Sequence, residues 1–193
     1  MLKANPKRQR LIEAAKTLFY TRGVETSSLS EIAQAAEVPP GNVYYHFKTK
    51  DALVEAVIAS HGTDILDGLA RLNAEGNPRA RLLDFVRGGL AHKAELARYG
   101  CPYGTLCAEL EKAGGSAAES ATVLFPLYLH WLERQFASLG RPDAADLALD
   151  TLAAVQGAYA VTQATRTPQV LERQVARLER WITDLDAGES VSA

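Results

Sequence analysis

Residues 28–50 read SLSEIAQAAEVPPGNVYYHFKTK, and the order of polar, apolar and ring-constrained residues in this stretch decides the fold. Ser28 offers a hydroxyl to the N–H groups of a helix that follows it, and Glu31, three residues on, completes a capping box. Leu29, Ile32, Ala33 and Ala36 then recur at helical spacing on one face. Pro39 and Pro40 disfavour helical geometry in the residue before each ring, so the run stops at Val38. Pro40 in turn suits the first turn of a second helix, where its missing N–H has no partner to lose. That helix is expected from about Pro40 to His46, with Val43 and Phe47 inward and Asn42, Tyr45 and His46 outward.

Two short helices joined at a tight break are the layout of a helix-turn-helix, whose second helix enters the DNA major groove. Tyr44 and Tyr45 are adjacent and so about 100° apart on a helix, which means that both cannot point fully inward. Charge agrees with a DNA-facing end. Residues 1–50 carry eight Lys or Arg against four acids, a net of +4, which leaves −6 on residues 51–193 of a chain whose net charge is −2. A basic head on an acidic body attracts phosphates at one end only.

The run GNVYYHFKTKDAL, following SEIAQAA, resembles the N-terminal domain of the TetR family of transcriptional repressors. In detail the resemblance covers the first quarter of the chain. It implies an all-α protein: a three-helix helix-turn-helix DNA-binding domain over residues 1–50 and a larger helical ligand-binding and dimerisation domain over residues 51–193. It also implies phosphate contacts from Tyr44, Tyr45, His46 and Lys50, a backbone contact from Ser28, and an approach to bases by Ser30, Pro39, Pro40, Gly41 and Asn42. Two positions depart from the family pattern. Glu37 stands where glycine is common, and a left-handed backbone there costs about 1–2 kcal/mol, so a slightly altered turn is expected. Pro40 replaces a residue with a side-chain donor, which leaves Asn42 as the main candidate for a base-edge hydrogen bond, with Gly41 letting the backbone come close. Val43 meets a thymine methyl only if it is rotated outward. Much of the operator preference is then left to half-site spacing and DNA shape.

The rest of the chain reads as helix, with no strand pattern. A first amphipathic helix over Lys7 to Arg22 turns Leu11, Ile12, Ala15, Leu18 and Phe19 inward and ends at Gly23. A long helix after Lys50 carries Leu53, Val57, His61, Ile65, Leu69 and Leu72 as far as the break at Gly76-Asn77-Pro78. Further helices are expected over about Arg79–Arg98, Tyr103–Lys112, Ala117–Leu139, Asp143–Thr165 and Pro168–Leu185, with a frayed tail at Gly188–Ala193. With 193 residues, 47% of them hydrophobic, the chain builds one sizeable core or two smaller ones. No apolar run approaches the roughly 20 residues of a membrane span. The opening MLKANPKRQR lacks the apolar stretch of a secretory signal, so a cytoplasmic protein is expected.

The last two helices read as a dimer interface or as intramolecular core. One is rich in small residues (Ala148, Ala153, Ala154, Gly157, Ala158, Ala160, Ala164), and the other repeats Leu171, Val175, Leu178, Ile182 and Leu185 at steps of four and three. With the family resemblance, a homodimer that presents two recognition helices to a palindromic operator on double-stranded DNA is expected. Candidate residues for a small, largely apolar or aromatic effector are Phe85, His92, Cys101, Tyr103, Phe125, Tyr128, Trp131, Gln156, Tyr159 and Gln163. The aromatic stripe among them is more often packing than a pocket, and the two glutamines read also as a pair across a dimer. Cys101 opens the segment GCPYGTLCAEL near a helix N-terminus, where a thiolate is favoured. It is read either as a redox or electrophile sensor or as a small buried hydrophobe. Cys107, six residues on, faces another way and is not expected to bond to it. His46, His61, His92 and His130 show no metal-ligand spacing, and neither a phosphate loop nor a nucleophile elbow is present. No enzyme activity, metal or cofactor is expected. A ligand-binding module with weakened DNA binding is the remaining alternative, motivated by the sparse side chains at Pro39, Pro40 and Gly41.

Overall fold

A computed structural model describes residues 6–74 and 76–185; the Gly188–Ala193 tail lies outside them. The described residues form helices joined by turns, without a strand, and fall into two compact units. The first unit joins residues 1–64 to 102–124 and so takes in more than the 1–50 head. It holds α1 (Pro6–Arg22), α2 (Leu29–Ala35), α3 (Pro40–His46), the first part of α4 (Lys50–Leu72), α7 (Pro102–Ala113) and α8 (Ser116–Ala121). The second joins residues 65–101 to 125–193. Its elements are the remainder of α4, α5 (Pro78–Arg87), a 3₁₀ turn (Leu90–His92), α6 (Lys93–Tyr99), most of α9 (Leu124–Ser138), α10 (Ala144–Thr165) and α11 (Pro168–Asp184).

In the first unit the apolar stripes meet as their spacing requires. Leu11, Ile12, Ala15 and Phe19 of α1, Ile32 and Ala33 of α2, Val43 of α3 and Leu53 and Val57 of α4 are all buried, while Leu18 is only half-buried. α1 ends at Gly23, whose φ of +94° is left-handed and whose N–H donates to the Phe19 carbonyl at 2.9 Å. α2 ends in a Schellman motif. The Glu37 N–H donates to the Gln34 carbonyl at 3.1 Å and the Val38 N–H to the Ala33 carbonyl at 2.9 Å, with Glu37 left-handed at φ 53°. Glutamate therefore adopts the turn that glycine would, and its hydrogen bonds are those of an ordinary helix end rather than of the altered turn the sequence suggested. Glu37→Gly should relieve this strain and raise stability by about 1 kcal/mol, as a higher urea midpoint would show; an unchanged or lower midpoint would contradict it.

In the second unit two of the expected helices are broken. The Arg79–Arg98 run divides into α5, the 3₁₀ turn and α6, because Gly88 and Gly89 interrupt it where Tyr159 packs against the backbone. A Cβ on Gly89 would lie 2.5 Å from the Tyr159 hydroxyl oxygen, so the close approach needs glycine. The Ala117–Leu139 run divides at Thr122, whose N–H and hydroxyl both donate to the Glu119 carbonyl, at 3.2 and 2.7 Å. That tightens the last turn of α8 to i→i+3 spacing. Trp131, 1% exposed, anchors the core and donates its indole N–H to Asn73 Oδ1 at 2.9 Å. Arg79 caps the far end of α11 by donating to the carbonyls of Ile182, Thr183 and Leu185.

The two stripes of the last helices part ways. Leu171, Val175, Leu178, Ile182 and Leu185 are buried within the chain, the first two against Leu96 and Ala158. On α10, Ala148 and Ala158 are buried, but Leu149, Ala153, Gly157, Ala160, Val161 and Ala164 are exposed.

Candidate nucleic-acid interface

The two helices of the first unit that matter most are fixed by local chemistry. Glu31 Oε2 accepts from the Ser28 N–H at 2.9 Å and from the Ser28 hydroxyl at 2.7 Å, while Ser28 Oγ accepts from the Glu31 N–H at 3.2 Å. These bonds, with Arg22 nearby, hold the Glu31 carboxyl below the usual carboxylate range. The Ser28 hydroxyl is thus occupied in starting α2, though its residue stays exposed. α3 starts at Pro40 as its ring requires, with the Asn42 N–H donating to the Pro39 carbonyl at 2.8 Å.

Burial of Val43 (1% exposed) and Phe47 (3%) fixes the rotation of α3. Every other residue of the helix then faces outward to some degree. Pro40 and Gly41 are exposed, Asn42 and His46 half-buried, and Tyr44 and Tyr45 are 58% and 77% exposed. Both tyrosines are exposed, in keeping with the reading that the two cannot both point inward. Two adjacent rings held outside the core by a well-packed helix make a contiguous aromatic surface of the kind that marks an interaction site. Tyr45 meets the His46 ring edge-on at 5.1 Å between centroids, which orients the pair. A Cβ on Gly41 would meet nothing within 4 Å, so the backbone there is open to close approach. Ser30 and Pro39 are exposed on the same short stretch of chain.

Lys50 is placed otherwise than as a free phosphate contact. Its Nζ donates to the Glu25 carbonyl at 3.0 Å, tying the start of α4 to the loop between α1 and α2. Glu109 of α7 holds the same loop, accepting from the Val24 and Glu25 N–H groups at 2.9 Å each. Sequence reasoning missed Glu109, because a contact 84 or 85 residues away leaves no periodic mark. It also missed Thr49, whose hydroxyl accepts from the Ala52 N–H at 3.1 Å as the N-cap of α4; a threonine directly before a helix is a readable signal. Arg8 lies over the Phe47 ring at 5.0 Å, a cation–π contact that holds a guanidinium beside α3.

The proposed effector residues are dispersed. In the second unit Phe85 meets Tyr128 and Trp131, each at 5.7 Å between ring centroids. Phe125, Gln156, Tyr159 and Gln163 are half-buried, and Tyr159 covers Gly89. Trp131 is full core. His92 does not join them: the 3₁₀ turn swings it to the surface, beside Glu95 at 3.7 Å. Tyr103 belongs to the first unit, where its ring meets His61 edge-on at 5.1 Å. Cys101 is buried, immediately before the first turn of α7, and the partly buried Cys107 donates its thiol to the Ala121 carbonyl at 3.7 Å.

Comparison with known proteins points the same way as the geometry. The family model for bacterial regulatory proteins of the tetR family matches residues 11–57. The HTH-type transcriptional regulator TtgR of Pseudomonas putida is 45% identical over 69 residues, 35% of this chain and 32% of that protein. This match therefore spans about a third of that relative's length. The HTH-type transcriptional repressor DhaR of a Mycobacterium species is 28% identical over 180 residues, 87% of this chain and 88% of that one. A TetR transcriptional regulator from Legionella pneumophila shares the fold, with a TM-score of 0.81 at 20% identity over 94% of this chain and 99% of its own.

Proposed function

We propose that this chain, which belongs to the TetR family of bacterial regulatory proteins, is a DNA-binding transcriptional regulator that acts as a homodimer and represses until a small, largely apolar or aromatic ligand releases it from a palindromic operator. The observation that carries the reading is α3 itself, anchored by Val43 and Phe47 and presenting Tyr44, Tyr45, an open Gly41 and Asn42 to solvent. Ser28, Ser30, Pro39, Pro40, His46 and Lys50 frame that surface. The exposed small-residue face of α10 supports dimerisation, since it lets a second helix come close. Two α3 helices carried about 34–36 Å apart reach successive major grooves. Repression is supported by the name of DhaR, which aligns along most of its length. For the effector, Phe85, Phe125, Tyr128 and Tyr159 offer apolar and aromatic surface, and Gln156 and Gln163 offer amide hydrogen bonds. No described helix is long and apolar enough to cross a membrane.

The experiment is a mobility shift with duplex from the flanking intergenic region, across a salt series. Affinity should fall steeply, log K dropping by about 0.9 per phosphate neutralised for each unit of log salt. Binding that is absent at low salt would end the proposal. Asn42→Ala should relax preference at one or two base pairs at a cost of about 1–3 kcal/mol. Lys50→Ala should weaken specific and random duplex alike, because it removes a charge and frees the Glu25 loop. Equal effects of both variants on specific and random competitors would contradict this division of labour.

A further inference from the structure

We infer that the dimer selects its own copy by charge: Asp150 of each subunit pairs with the arginine lane formed by Arg173, Arg177 and Arg180 on α11 of the other. This inference rests on the homodimer proposed above and names what recognises the second copy.

α11 carries its charges in two lanes. Glu172 and Glu179, seven apart and so on one face, are neutralised within the chain, by Lys93 at 2.5 Å and Arg87 at 2.5 Å. Arg173, Arg177 and Arg180 share the exposed lane next to it and make no ion pair among the described residues. Three like charges at spacings of four and three destabilise an isolated helix, and no ion pair among the described residues offsets them.

The answering charge stands across a groove. The arginine lane walls a groove of about 640 Å³ whose floor is Ala154, Gly157 and Ala158 of α10. An adjoining groove of about 440 Å³ brings Asp150 of α10 alongside Arg177 and Trp181. Yet Asp150 is exposed and forms no ion pair with Arg177 or any other described residue. One wall is basic, one end is acidic, and the strip between them is small and apolar. A twofold interface sets a patch against its own rotated copy, so an acid and arginines that stand side by side without pairing in one chain are each offered the opposite sign by the copy. A second copy of this chain thus supplies acid to the arginines and arginine to the acid, and Gly157 lets the α10 backbones close over the gap.

Self-association measured by analytical ultracentrifugation tests this. The wild-type dimer should weaken as salt rises, since exposed ion pairs are screened within a Debye length of about 10 Å at 0.1 M; an interface held by apolar contact alone would not weaken. Asp150→Arg, and separately Arg173→Glu with Arg177→Glu, should each weaken self-association at least about tenfold. Mixed in equal amounts, the two variants should restore dimers, seen as heterodimers by native mass spectrometry. Circular dichroism melts show whether each variant folds, and Arg173→Gln with Arg177→Gln removes the charge without reversing it should the reversal disturb α11. Folded variants that dimerise like the wild type overturn the charge pairing and leave the homodimer standing. A wild type that stays monomeric at micromolar concentration overturns both. A mixture of folded variants that remains monomeric overturns the pairing.

Discussion

Tyr44→Phe combined with Tyr45→Ala and His46→Ala is expected to weaken operator binding at least about a hundredfold while leaving the fold intact. Tyr44 and Tyr45 are 58% and 77% exposed, so little core packing is lost, and surface changes of this kind move stability by only about 0.5 kcal/mol. The binding term is larger. A hydrogen bond to a charged group contributes about 1.5–3 kcal/mol, and each subunit loses the three polar tips at positions 44, 45 and 46. Even with most of that returned by water, more than about 2.7 kcal/mol remains across two subunits, which corresponds to a hundredfold in Kd. The loss should fall equally on operator and random duplex, because the contacts expected of these side chains are to phosphates, which position the helix without reading sequence. Fluorescence anisotropy with both duplexes measures it. Unchanged affinity would remove α3 from the interface, and loss confined to the operator would reassign these side chains to base reading.

How much of this could be read from the chain depends on how local each determinant is. The capping box of Ser28 and Glu31, the start of α3 at Pro40 and the inward pair Val43 and Phe47 all act over four residues or fewer, and each stands where the sequence places it. The left-handed site at Glu37 was legible only as a departure from glycine; that its Schellman bonds survive intact depends on Val38 being buried beneath the helix. The same motif recurs at Arg166, φ 52°, where no turn residue announces it. Gly88-Gly89 and Thr122 were visible as residues, but the first break depends on Tyr159, a tertiary fact that overrides helical spacing, and the second on a local bond from Thr122 to the Glu119 carbonyl that spacing alone does not report. Glu109 and the tie from Lys50 to Glu25 join distant segments and could not be read at all. The paired stripes of the last helices left the partner of each open, and burial separates them: Leu171 to Leu185 pack inward, and the small face of α10 is exposed.

Acidification is expected to cost the folded protein about 3 kcal/mol between pH 6.5 and 4 through one side chain, His61. It lies 7% exposed on α4 with its Nδ1 buried and without a hydrogen-bond partner among the described residues. Burial, then the Lys16 ammonium, push its pKa from 6.5 down to about 4. Opposing them more weakly are Asp64, 3.7 Å away on its own helix, and Glu13 on α1. Tyr103 of α7 closes the remaining side with its ring. Above pH 6.5 the imidazole is neutral whether the chain is folded or not, so it contributes no pH dependence. Below that the unfolded chain takes up a proton that the folded chain refuses, and the penalty grows by about 1.4 kcal/mol per pH unit until the folded pKa is reached. The Glu31 and Asp143 carboxyls, both held below their ordinary range by hydrogen bonds, also lose stability on acidification, from the lower end of the histidine window downward. His61→Phe keeps a ring against Tyr103 and cannot titrate. Urea midpoints from pH 7.5 to 4 should therefore fall more steeply for the wild type than for the variant, with the difference opening below pH 6.5 and flattening near 4. Parallel curves would mean that the buried imidazole protonates freely, through solvent access or through a rearranged pair with Asp64.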